Sequence, residues 1–256
     1  MLIATFNANS IRSRLAVVLD WLKRYEPDML CIQETKVQDH EFPLMPFEQA
    51  GWHVAFRGEK SYNGVAIISR HKPDHVSFGM HDGAPPDETR FCHAQFNDLH
   101  LINTYVPQGR EIDHPMYAYK NEWFVRLRKW FTNNLTPTMP VVWVGDLNVA
   151  PEPDDIHNAE RQANHVCYHE QVRNTFRQTV DWGFVDVYRQ FHQGKGHYTF
   201  FDYRTPNAAQ RAMGWRIDHI LATPPMAQTA IEASIDLAPR LGSKPSDHTF
   251  LYARFK

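Results

Sequence analysis

Val141-Val142-Trp143-Val144-Gly145-Asp146-Leu147-Asn148 is a run of four apolar residues that meets a glycine and then alternates acid, leucine and amide. Four consecutive apolar residues show no in-out alternation, so the segment reads as a strand covered on both faces. A carboxylate directly after such a strand is costly to bury unless it is paired or holds a metal. Asp146 and Asn148 also share one side, because alternate residues of an extended chain do. The stretch therefore predicts a covered sheet with chemistry at a strand end.

The same pattern recurs upstream. Leu2–Phe6 reads as a strand followed by Asn7. Ile11, Leu15, Leu19 and Leu22 then repeat at helical spacing to about Tyr25, with Ser10 as the expected N-cap and Pro27 as the stop. Met29–Ile32 is a second compact strand, followed by Glu34. A helix between two such runs predicts a crossover, so Asn7 and Glu34 should follow adjacent strands. Trp52–Phe56 and Val65–Ser69 read as strands split by Tyr62-Asn63-Gly64, and Phe91–Phe96 with His100–Tyr105 as a hairpin through Asn97-Asp98. Tyr117–Phe131 has the apolar set of an amphipathic helix. A long polar loop over Pro151–Asn164 precedes a helix around Glu170–Trp182. Strands are expected at Trp215–Ala222, Ala230–Leu237 and Thr249–Phe255. Strands outnumber helices, which favours a β-sandwich flanked by helices.

Of 256 residues, 43% are hydrophobic and 22% charged, the make-up of a globular protein, and no linker or charge block divides them. One domain over 1–256 is expected. No apolar run is long enough to span a membrane, and no basic-then-apolar leader opens the chain, so a soluble, cytoplasmic monomer is expected. Cys31, Cys92 and Cys167 are odd in number and widely spaced, which argues against a disulfide framework or a zinc knuckle. The formal net charge of −2 runs against a nucleic-acid binder, unless a local basic patch does the binding.

The polar residues at strand ends, Asn7, Glu34, Asp146 and Asn148, together with Asp218 and Asp247, are oxygen donors of the kind that hold a hard cation, and His248 stands beside them. Asp218 and His248 offer a carboxylate–imidazole pair, in which the carboxylate sets the tautomer and supports the charged ring beside a phosphate. His157, His165, Cys167 and His169 match no usual zinc spacing and read as a loop and helix start. Arg70, Lys72, Arg126 and Arg128 read as solvated charges.

Seven motifs run in order through the chain: Phe6-Asn7-x-Asn9, Gln33-Glu34-Thr35-Lys36, Asn63-Gly64-Val65-Ala66, Tyr105-Val106-Pro107-Gln108-Gly109, Gly145-Asp146-Leu147-Asn148, Gly214-Trp215-Arg216-Ile217-Asp218 and Lys244-Pro245-Ser246-Asp247-His248. On these the chain resembles the exonuclease III family of AP endonucleases, within the endonuclease/exonuclease/phosphatase superfamily that includes DNase I. The resemblance implies an α/β fold: a four-layer sandwich of two mixed β-sheets packed face to face and flanked by helices. It implies a Mg²⁺-dependent nuclease, with Mn²⁺ as the alternative, acting on double-stranded DNA at abasic sites or 3′ ends in base excision repair. Glu34 would be the main metal ligand, with Asn7, Asn9 and Asp247 around it. Asp146 would activate water, Asn148 would position it, Tyr105 and His248 would contact the phosphate, and Asp218 would hold His248. Phe200 and Trp215 would line a pocket for a base-less sugar, while Arg110, Arg12, Arg57 and Lys60 are candidates for phosphate contacts. The run Cys167-Tyr168-His169-Glu170 departs from the family, where a small residue and Phe precede a Pro-Glu-Glu-Arg helix start. The alternatives are a superfamily esterase acting on a phospholipid, inositol phosphate or RNA, and a DNA-binding module without catalysis.

Overall fold

In the computed structural model, which describes residues 1–256, the chain runs β1 (Leu2–Asn7), α1 (Ile11–Tyr25), β2 (Met29–Gln33), α2 (Leu44–Gln49), β3 (His53–Arg57), β4 (Val65–Ser69), β5 (His75–Phe78), β6 (Phe91–Phe96), β7 (Leu99–Tyr105), α3 (Pro115–Asn134) and β8 (Val141–Asp146). It continues through α4 (Glu170–Val180), β9 (Val185–Asp186), α5 (Val187–Phe191), β10 (Asp218–Ala222), α6 (Pro224–Ala227), β11 (Ala230–Asp236), α7 (Ala238–Leu241) and β12 (Phe250–Phe255). The strands form two six-stranded sheets, ordered β11-β12-β1-β2-β4-β3 and β5-β6-β7-β8-β10-β9. Each has one parallel pair, β1 with β2 and β7 with β8, and is otherwise antiparallel. No helix is long and apolar enough to cross a membrane.

The uninterrupted apolar runs follow from this layering. On β8, Val142 and Val144 enter the core between the sheets, while Val141 and Trp143 face outward to α3 and its Trp123, Phe124, Leu127 and Phe131. On β2, Met29 and Cys31 point inward, whereas Leu30 and Ile32 meet Val18, Trp21 and Leu22 of α1. Both faces are dry, so both must be apolar. The result is helix, sheet, sheet, helix.

Register brings the polar strand ends together. Asn7 stands opposite Gln33, while Tyr105 and Asp218 flank Asp146 in one row across β7, β8 and β10. The antiparallel β12 starts where β1 ends, which delivers Asp247 and His248 to the same edge. Beneath that edge one buried polar link crosses the sheets: Gln33 Nε2 donates to Asn103 Oδ1 at 2.7 Å, and Asn103 Nδ2 donates to the carbonyls of Ile32 and Ala66 at 3.0 and 2.9 Å. Buried amides paired across the sheets in this way favour one register over neighbouring ones, even with Gln33 Oε1 left without a partner.

Four details differ from the sequence expectations. Ser10 precedes α1 at φ 91° and makes no side-chain cap. The backbone N–H groups of Ser10 and Ile11 instead donate to the carbonyls of Glu34 and Thr35, at 2.8 and 3.1 Å. Trp215–Ile217 lies outside β10, because Trp215 exchanges backbone bonds with Phe200 and Arg216 N turns to Asp155 O. The short edge strands β5 and β9 carry too few residues to show a period. Arg126 is buried rather than solvated, held by Asp82 at 2.7 Å and Asp87 at 2.9 Å.

Candidate active site

Gly145 sets up the site's centre. Its φ of 140° lies where a side chain is strained, and a Cβ there would come 1.9 Å from Thr104 O, so only glycine lets β8 run this close to β7 and carry Asp146 to the edge. Glu34, at φ 49°, and Asn148, at φ 52°, sit in the sparsely used left-handed region. Strain of that kind persists where surrounding contacts over-determine it.

The contacts are dense. Asn7 Nδ2 donates to Glu34 Oε1 and to Asp146 Oδ2, both at 2.8 Å, while its oxygen accepts from Asn9 N at 2.9 Å. Asn7 thus turns its donor face, not its oxygen, to the two carboxylates. Asn9 Nδ2 donates to Asp247 Oδ1 at 3.0 Å. The ammonium of Lys36 lies 2.7 Å from Glu34 Oε2 and 2.5 Å from Asn9 Oδ1, so those two oxygens face one cationic point. Burial by itself raises the Glu34 carboxyl, but Lys36 and the bond from Asn7 outweigh it and hold the group below its usual value.

A second cluster adjoins the first. His248 Nδ1 meets Asp218 Oδ2 at 2.8 Å, and its Nε2 stands 3.7 Å from Asp146 Oδ2. Burial lowers an imidazole's pKa, yet the carboxylates of Asp218 and Asp146 prevail and push His248 up to about 10, so the ring is charged at neutral pH. Burial, aided by Asp218 and Glu34, pushes Asp146 up to about 7 against the pull of His248. Asn148 N donates to Asp146 Oδ1 at 3.0 Å, and Asn148 Nδ2 to Val106 O at 3.0 Å. Burial and the neighbouring Glu34 and Asp146 hold the Tyr105 phenol well above its usual pKa, so it stays a neutral donor. Ligand-type atoms of Asp146, Asp218 and His248 lie within 4.8 Å of one another. His248 Nδ1 and Asp218 Oδ2 are tied into a hydrogen-bonded chain suited to moving a proton, while Asp218 Oδ1 is buried without a partner.

These groups open into a cavity of about 630 Å³ walled by Phe200, Trp215, Met213, Cys167, His165 and Gln108, among others. Of the residues singled out in the sequence, Glu34, Tyr105, Asp146, Asn148, Phe200, Trp215, Asp247 and His248 line it. Asn7, Asn9 and Asp218 stand behind them. Arg110 lies outside, exposed, with its guanidinium 3.4 Å from His114. Arg12 and Arg57 are engaged by Glu41 and Asp39, and Lys60 is exposed. Of the histidine segment, His157, His165 and Cys167 line the cavity, His165 leaning on Trp215 with ring centroids 4.4 Å apart, while His169 caps α4. Sequence reasoning missed Lys36, although it lies inside a quoted motif, and Lys120. Lys120 is fully buried and donates to the carbonyls of Gln108, Asn148 and Val166 at 3.1, 2.7 and 2.8 Å. Its position in an amphipathic helix gave no signal of that role.

Behind β10 a second buried network forms. Arg216, 1% exposed, donates to Asp155 at 2.6 Å and meets Asp186 at 2.8 Å, while Arg189 also pairs with Asp155. Arg216 Nη1 further donates to His219 Nδ1 at 3.1 Å, and His219 Nε2 to Val149 O at 2.8 Å. It braces Trp215 and Asp218 from the side away from the cavity.

The comparisons agree with this fold. The family model described as Endonuclease/Exonuclease/phosphatase family matches residues 4–248. An exodeoxyribonuclease of Bacillus subtilis (strain 168) is 30% identical over 243 residues, covering 92% of this chain and 93% of that protein. The structure of an AP endonuclease from Archaeoglobus fulgidus superposes with a TM-score of 0.98 at 48% identity, covering 100% of this chain and 99% of that one. A 3′ phosphatase from Neisseria bound to a product DNA hairpin gives 0.93 at 35% identity, covering 100% of this chain and 99% of that one. With its strand-end carboxylates, its two mixed sheets and a match over nearly its whole length, the chain belongs to the endonuclease/exonuclease/phosphatase family.

Proposed function

We propose that the chain is a metal-dependent DNA repair nuclease that hydrolyses the phosphodiester bond beside abasic sites and trims 3′ ends at the same centre. The observation that carries this reading is the meeting of an oxygen-lined cation position at Glu34 with the Asp146–His248–Asp218 chain, next to an aromatic wall of Phe200 and Trp215.

The donor set fits a hard divalent cation, because Glu34 Oε2 and Asn9 Oδ1 already converge on one cationic point and Asp247 adjoins it. Glu34, Asp247 and Asn9 would hold it, and Asn7 would orient Glu34 and Asp146. Mg²⁺, or Mn²⁺ with its overlapping oxygen preference, supplies Lewis-acid neutralisation of phosphate charge when bound. Asp146, ionised, takes a proton from water. The resulting hydroxide attacks phosphorus, and the bond to the 3′ oxygen breaks with its electron pair on that oxygen, which takes a proton from solvent, leaving a 3′-hydroxyl and a 5′-phosphate while Asp146 returns its proton to solvent. The His248 imidazolium and the Tyr105 phenol hydrogen-bond the phosphoryl oxygens, where charge grows. Asn148 holds Asp146 and the entering water. Phe200 and Trp215 suit a sugar without its base, since an unstacked base-less nucleotide brings little polar surface to an apolar wall.

A labelled duplex with one tetrahydrofuran abasic analogue tests the reading. Mg²⁺ should give a single nick that EDTA removes. A bound but uncut duplex with Mg²⁺ present, or hydrolysis confined to lipid or inositol phosphates, overturns it.

Two further results are expected. Glu34→Gln should raise the Mg²⁺ concentration for half-maximal rate by roughly 10–100-fold, the usual scale for disturbing a metal's surroundings, with part of the rate recovered at saturating metal. An unchanged Mg²⁺ titration would remove Glu34 from the ligand set. The rate should also follow a bell in pH. It rises as Asp146 ionises around 7, because the base must be charged to accept a proton, and falls as His248 loses its proton around 10, because the imidazolium must be charged to bind phosphate. Both limbs belong to the coupled group. In Asp218→Asn the alkaline limb should move to lower pH, and single-turnover rates across pH would reveal it.

A further inference from the structure

Three histidines stand on the outer face of the second sheet, on successive strands. Ser77 of β5 lies opposite His93 of β6, and Gln95 of β6 lies opposite both His75 of β5 and His100 of β7. His75 and His100 are therefore diagonal neighbours of His93, their side chains on one face. His93 Nε2 and His100 Nδ1 are 3.0 Å apart, with their rings stacked at a centroid distance of 5.2 Å. The ring of His75 lies 6.2 Å from that of His93, and Trp130 of α3 meets His93 edge-on at 5.3 Å. All four line a cavity of about 530 Å³, separate from the one at Glu34.

A contact of nitrogen on nitrogen means that two lone pairs share one proton. Imidazole nitrogens bind zinc at about 2.0–2.1 Å, so two of them at a tetrahedral centre lie roughly 3.3 Å apart. The His93–His100 spacing is a few tenths of an ångström short of that. Burial holds His93 down to about 4 and His100 below its usual value, so both rings are neutral at pH 7 and keep the lone pairs a metal requires. His75 is exposed on an edge strand with its ring 6.2 Å from that of His93, so it has to turn toward the pair to become a ligand, and the cavity admits water as the remaining one. Imidazole selects zinc, nickel or copper over magnesium.

We propose that His93 and His100, joined by His75, form a nitrogen-liganded site for a divalent transition metal such as Zn²⁺, distinct from the oxygen-lined centre at Glu34. The ion takes the place of the shared proton, and the ring that donated it carries its proton on its other nitrogen, so the neutral rings bind without net proton release. The bound ion cross-links β6 and β7, with β5 through His75, and stiffens this end of the sheet.

The experiment is calorimetric titration of the EDTA-stripped, dialysed full chain with Zn²⁺ alone. One class of site should persist in Glu34→Gln and weaken roughly 10–100-fold in His100→Gln, the scale of a disturbed metal environment. Isotherms of wild type and His100→Gln that superimpose overturn the proposal, as does loss of all Zn²⁺ binding in Glu34→Gln. Co²⁺ gives a reading on the wild-type chain, independent of how any variant folds. Strong visible bands of a four-coordinate, nitrogen-ligated ion support the site, and only the weak bands of a six-coordinate oxygen-ligated ion overturn it.

Discussion

Asp146→Asn should lower kcat by roughly 10²–10⁴-fold, the contribution of a positioned general base, while the Kd for an uncut abasic duplex stays at its wild-type value. The side chain keeps its shape, but its amide offers one oxygen where the carboxylate offers two, so one of Asn7 Nδ2 and Asn148 N keeps its acceptor and the other loses it. What is lost is a carboxylate whose raised pKa matches it to proton transfer near neutral pH. The substitution also removes one of the three carboxylates that keep His248 charged, Asp218, Asp146 and Asp247, so the imidazolium's alkaline limb should move to lower pH in the residual activity. The measurement is single-turnover cleavage beside equilibrium binding in Ca²⁺ or EDTA. A variant that cuts at the wild-type rate removes the base from Asp146, and one that fails to bind makes the residue a binding group.

Arg216→Met should cost about 3–5 kcal/mol of stability, the penalty for removing one partner of a buried ion pair. Asp155 would be left in the interior with Arg189 as its remaining guanidinium, and the partly exposed Asp186 with His219 at 3.9 Å. Urea unfolding followed by circular dichroism gives the number, and a loss below about 1 kcal/mol, the worth of an exposed pair, would show the network to be idle. The wild type carries a pH signature of the same network. Burial alone would raise the carboxyls of Asp155 and Asp186, but Arg216 prevails and holds both below their usual value. Groups with depressed folded-state pKa values stabilise fully above the unfolded value of about 3.9 and lose that contribution as pH falls toward the folded value. Wild-type stability should therefore fall below about pH 4, and Arg216→Met should flatten that slope.

Much of this was legible in the chain because buried strands write themselves as apolar runs. Met29–Ile32 behind its crossover helix announced the pairing of β1 with β2, Val141–Val144 announced a second doubly covered strand, and the polar residues after them marked the edge where Glu34 and Asp146 meet. Spacing said nothing about orientation. Whether Asn7 turns an oxygen or an NH₂ toward Glu34 depends on what Asn9 N requires, a contact that exists only once β1 has ended. Arg126 read as a solvated charge and Lys120 drew no reading, because their acceptors, loop carboxylates and backbone carbonyls, come from distant segments. The Trp215–Ile217 departure from β10 was hidden for the same reason: Phe200 and Asp155 capture backbone groups that a ladder would have used.

The cavity draws on two kinds of support. Tyr105 and Asp146 end rigid, doubly covered strands and Glu34 directly follows one, whereas His165, Cys167, Phe200 and Met213 belong to connecting segments. In evolutionary terms the two parts can change at different speeds. Loops tolerate replacement and strand ends in a dry sandwich do not, so a lineage can exchange one damaged DNA end for another by rewriting a wall of the pocket while the hydrolytic machinery is inherited intact.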